Sequence, residues 1–79
     1  MKIIVSQQGK KLTSEFYHSK IVYQHSLDKA EEFLLCIDKL TKKHHTVEIS
    51  DFGNAKLEFR NTGLLTERII RAIIAGLRF

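Results

Sequence analysis

Proline and tryptophan are absent from this 79-residue sequence, cysteine occurs once and glycine four times. With no proline, no low-complexity tract and no internal repeat, nothing marks a linker, so a single domain is expected over residues 1–79. The lone Cys36 excludes an internal disulfide and suits a reducing compartment. No stretch approaches the roughly 20 apolar residues of a membrane span, and the run in MKIIVSQQGKK is far too short for a secretory leader. A soluble, cytoplasmic protein is therefore expected. A glycine-rich phosphate loop and a cleft of paired carboxylates are missing as well.

What remains is a chain that is 43% hydrophobic, enough for one thin core. Chains this small often gain stability by pairing with a copy of themselves, so an oligomer is expected. Thirteen Lys and Arg against nine Asp and Glu leave a formal charge of +4, which favours anionic partners in general.

KIIVS reads as a first strand, followed by a turn in QQGKK where Gly9 can take positive φ. EFYHSKIVYQ reads as one longer strand, with a bulge near Ser19 because the apolar phase shifts between Phe16 and the Ile21 and Tyr23 pair. Ser26 is a candidate N-cap for a helix in which Leu27, Ala30, Phe33, Leu34, Ile37 and Leu40 recur at helical spacing. Asp28 and Glu31 suit its start, and Lys39, Lys42 and Lys43 its end.

Val47 and Ile49, then Ala55, Leu57 and Phe59, alternate with polar residues, so two strands joined at DFGN are expected to form a hairpin. LLTERIIRAIIAGLRF reads as a last helix, capped by Thr66 or Thr62. The expected order is ββαββα. On that last helix Leu65, Ile69, Ile70, Ile73, Ile74 and Leu77 cover about half the circumference, more than one sheet can bury. The surplus points to the same helix of another subunit, or to Phe79 folding back over it.

His44 and His45 are adjacent where the first helix gives way to the next strand. An imidazole exchanges protons near neutrality, with an unperturbed pKa of about 6.5, so two at one junction are acid-base candidates; the bland alternative is polar residues in a loop. His18, His25 and Cys36 are the other soft ligands and show no zinc-type spacing, so no metal is expected. Cys36 falls on the apolar side of its helix, where a thiol stays protonated and inert. Arg68, Arg71 and Arg78 share the polar side of the last helix with Glu67 and read as a solvated face, and few exposed aromatics are on offer to bases. Nucleic acid is not the expected partner.

Several stretches resemble the pterin-4a-carbinolamine dehydratases, over roughly residues 12 to 78. LTSEFYHSKIVYQ is similar to the opening strand pair of that family, LDKAEEF to the start of its first helix, and HH to its paired histidines. DFGNAKLEF resembles its hairpin turn and following strand, and GLLTERI the beginning of its last helix. The resemblance implies an α+β fold, a four-stranded antiparallel sheet with two helices on one face. It implies dimers through sheet edges and tetramers packed through helices.

It further implies dehydration of a 4a-hydroxytetrahydropterin to quinonoid dihydropterin, with no metal or organic cofactor. His44 and His45 would be the catalytic acid and base, and Thr46 and Thr62 would line the substrate pocket. Thr46 stands where the family usually has proline, and Thr62 where an ungapped count puts its third histidine. Relatives of this fold also serve as dimerisation cofactors or assembly chaperones through their helices. The alternative expectation is thus a non-catalytic interaction module binding a protein partner on its helical surface.

Overall fold

The computed structural model describes residues 1–77, the side chain of Ile21 aside. Three strands come first: β1 (Lys2–Gln8), β2 (Lys11–His18) and β3 (Ile21–Leu27). A 3-10 turn (Ala30–Glu32) leads into α1 (Phe33–Lys43), followed by the short α2 (Ile49–Gly53), β4 (Lys56–Arg60) and α3 (Leu64–Gly76).

The expected ββαββα order is corrected at two places. EFYHSKIVYQ is two strands, because Ser19 takes φ 56 and opens a two-residue turn that pairs His18 with Ile21; there is no bulge. A serine in the left-handed region carries no glycine-like signal, which hid the turn. The Gly9 turn matches expectation, with φ 64 and Gln8 opposite Lys11. β3 continues through Ser26 to Leu27, so Ser26 caps nothing and the helical region starts at Ala30.

The second correction lies at residues 47–54, where a helix replaces the first strand of the expected hairpin. The Glu48 N–H donates to Asp51 Oδ2 at 2.9 Å, and the Glu48 side chain accepts from the Asp51 backbone, a reciprocal cap that starts α2. A turn at DFGN would leave Phe52 in water. In α2 its ring is instead fully buried, edge-on to Phe16 at 5.7 Å between centroids.

The sheet order is β3-β2-β1-β4. β1 pairs antiparallel with β2 and β2 with β3, but β4 joins β1 in parallel, Ile3 beside Leu57 and Val5 beside Phe59. The sheet is therefore mixed, and three α-helices accompany it, which overturns the antiparallel sheet with two helices that the resemblance implied. The reason is geometric: after β3 the chain crosses over through α1 and α2 before pairing, and such a crossover sets the next strand parallel to β3 and hence to β1.

One face of the sheet carries Ile3, Val5, Leu12, Phe16, Tyr23 and Leu27, buried with Phe33, Cys36, Ile37, Leu40, Phe52, Ile70 and Ile74 of the helices. The opposite face is mostly polar, Ile4 and Val22 aside, with Lys2 and Arg60 both on Glu58 and Tyr17 donating to Glu15. Of the apolar half of α3, Ile70 and Ile74 are buried, Ile69, Ile73 and Leu77 pack partly, and Leu65 is 72% exposed. Gly63 takes the N-cap position, so neither Thr62 nor Thr66 caps α3. Arg78 and Phe79, the latter the alternative cover for the apolar side of α3, lie outside the described residues.

Candidate functional site

α1 ends at His44, whose N–H donates to the Leu40 carbonyl at 2.9 Å and whose φ of −124° leaves the helix. The Val47 N–H then donates to the His44 carbonyl at 3.1 Å, closing a turn with His45 and Thr46 at its two central positions. Both are exposed. The His44 ring is turned the other way, half-buried against Tyr23, with centroids 4.4 Å apart and planes at 45°.

Thr62, half-buried, follows β4, whereas the histidines precede it. Along β4 that is four steps of about 3.3 Å, and β4 and β3 are the two edges of the sheet, three spacings of about 4.8 Å apart. Thr62 and His44 therefore occupy diagonally opposite corners. Of the four residues expected to form one pocket, His44, His45 and Thr46 share one turn and Thr62 lies apart from them.

What His44 does meet is a group the sequence reading passed over. Tyr23 and His25 sit two apart on the helix-covered side of β3, and His25 edges Phe16 at 6.5 Å between ring centroids. Burial, helped by the positive Lys39 and Lys43 and by His44, holds the His25 imidazole below its ordinary pKa. His25, Lys39, Leu40, Lys42 and Lys43 line a cleft of about 450 Å³ between α1 and β3. Helical spacing of Lys39 and Lys43 together with strand alternation of Tyr23 and His25 is the signal for this corner. It needed β3 to be recognised as a separate edge strand.

On the other flank of α1 lies an apolar groove of about 330 Å³, lined by Leu34, Leu35, Ile37, Asp38, Ile49 and Leu77. Leu34 is 49% exposed, Leu35 61% and Ile49 45%. Leu64 and Leu65 lie open at the start of α3. Asp38 pairs with Lys42 at 3.0 Å, one turn along. Arg71 is tied to Glu67 at 3.0 Å and lies 5.0 Å over the Phe59 ring, which leaves Arg68 as the other exposed arginine of the described α3.

Among the described residues no group of three or more His, Cys, Asp or Glu side chains is placed to hold a metal ion, and no helix is long and apolar enough to cross a membrane. Comparison with protein-family models, with curated proteins and with solved structures gave no match.

Proposed function

We propose that this chain is a non-catalytic interaction module that binds a protein partner through its helical layer, the first such partner being a second copy of itself. The observation that carries this reading is the groove between α1, α2 and the end of α3, where Leu34, Leu35 and Ile49 stay open to solvent although the domain has few apolar side chains to spare. Contiguous exposed aliphatics rimmed by charge mark docking faces, whereas single ones need no explanation. Asp38 lines the groove and is paired with Lys42 one turn along, so a two-fold arrangement can exchange these partners between the copies. The surplus apolar surface of the last helix, Leu65 above all, supports the same reading.

The rival is pterin dehydration by His44 and His45. It requires both rings at one substrate, and His45 is exposed on a turn while His44 packs on Tyr23. The docking reading is tested by light scattering of the native chain and of the variants Leu35→Glu and Ile49→Glu. A mass near twice 9.2 kDa is expected for the native chain, returning to 9.2 kDa in the variants with circular dichroism unchanged. A native monomer whose surface binds no apolar dye would end it. Accelerated dehydration of a 4a-hydroxytetrahydropterin that is lost in His45→Ala would favour the rival instead.

A further inference from the structure

We propose that the cleft between α1 and the edge strand β3 binds a phosphate group carried on a small organic molecule, with Lys39 and Lys43 as its cationic contacts and His25 as a third donor. This site is separate from the apolar groove, with which it shares no lining residue.

Two observations converge on it. The first is uncompensated charge. Lys39, Lys42 and Lys43 line the cleft, no carboxylate does, and the nearby Asp38 is already engaged by Lys42. Lys39 and Lys43 make no ion pair among the described residues. Like charges one helical turn apart repel, and an anion between them removes that cost.

The second is shape. About 450 Å³ exceeds what a bare phosphate needs and falls in the range of small-molecule sites. Leu40 and the methylene stems of the lysines give it apolar walls, which suit an organic body attached to the charged head.

Binding at this place couples to a proton. The groups facing His25 are Lys39 and Lys43, with His44 behind them and the uncharged Ser14 and Tyr23 on the sheet, and the positive ones disfavour its protonation. A phosphate brought among them reverses that influence, so His25 takes up a proton as the ligand enters and donates to it.

The test follows the histidine ring signals by NMR while inorganic phosphate or phenyl phosphate is added at constant ionic strength kept with sodium chloride. Saturable shifts of His25 and His44 are expected, with His45 and His18 unmoved. The His25 pKa should rise by about one unit, and phenyl phosphate should bind more tightly than inorganic phosphate. The double variant Lys39→Gln/Lys43→Gln alters exposed positions and should keep the Tyr23–His44 ring signature while losing saturation. Lys10→Gln/Lys11→Gln, at the distant Gly9 turn, should bind as the native chain does. A response without saturation, or one equal in the native chain and the Lys39/Lys43 variant, would mean an adventitious ion only and would overturn the proposal. Equal affinity for the two phosphates would overturn its organic part.

Discussion

Tyr23 and His44 pack ring on ring, centroids 4.4 Å apart, and this contact ties the end of α1 to the edge of the sheet. It also explains why two neighbouring histidines have unlike surroundings: one ring is spent on holding the helix end, and the other is left on a turn.

The phenol oxygen of Tyr23 is buried with no partner among the described residues, so its removal should not weaken the fold. An unpaired buried hydroxyl costs about 1 to 3 kcal/mol, and Tyr23→Phe keeps the ring contact. The variant is expected to be as stable as the native chain or up to about 1 kcal/mol more so, read from the urea midpoint. A clear loss would show that the hydroxyl is bonded after all.

His25 is expected to make the fold sensitive to mild acid. Burial first, then Lys39, Lys43 and His44, depress its pKa below 6.5, so the folded chain resists a proton that the unfolded chain accepts. Stability is intact above about 6.5 and declines as the pH falls below it toward the depressed value. His25→Gln should flatten this dependence in urea titrations over that window, and Lys43→Gln should move the His25 pKa back upward. An unchanged acid slope in His25→Gln would place its origin elsewhere.

Cys36 gives the opposite dependence. Burial pushes its thiol up to about 11, against a smaller opposing effect of Lys39. A raised pKa favours the folded state fully below the ordinary thiol value of 9.0, and the advantage fades as the pH climbs toward about 11. The native chain should therefore lose stability between neutrality and strong alkali faster than Cys36→Ala, which itself costs about 1 kcal/mol for the small void. Alkylation of the thiol at neutral pH should proceed only as fast as the chain opens.

Residues 48–52 are held by the cap of Glu48 and Asp51 and by the burial of Phe52. Asp51→Ala is expected to cost about 1 kcal/mol, and Phe52→Ala about 3 to 5 kcal/mol. A turn tip at DFGN would instead tolerate Phe52→Ala almost freely, so the size of that loss in urea unfolding distinguishes helix from hairpin.

The same segment shows where the sequence was legible. Phe33, Ile37 and Leu40 announce α1 by their period, Ile70 and Ile74 announce α3, and Gly9 announces its turn. Val47 and Ile49 alternate like a strand, but over so short a run periodicity does not separate a strand from a single helical turn, and the buried Phe52 decided it. Ser19 concealed a turn because the residue does not advertise positive φ. The direction of β4 is written in no local pattern: Leu57 and Phe59 would alternate identically beside β1 in either sense, and the crossover through α1 and α2 fixes it. The candidate corner of His25, Lys39 and Lys43 needed the pairing of distant segments, which adjacency of His44 and His45 could only suggest.

The parallel seam between β1 and β4 has a consequence for how the chain is made. β1 leaves the ribosome well before Lys56–Arg60, the strand that one of its sides waits for. Closing so long a loop is slow, and until it closes Ile3 and Val5 offer a bare edge to any other chain. A nascent or truncated polypeptide ending before Lys56 should thus be prone to clumping, and whatever shields β1 in that interval governs the yield of folded protein.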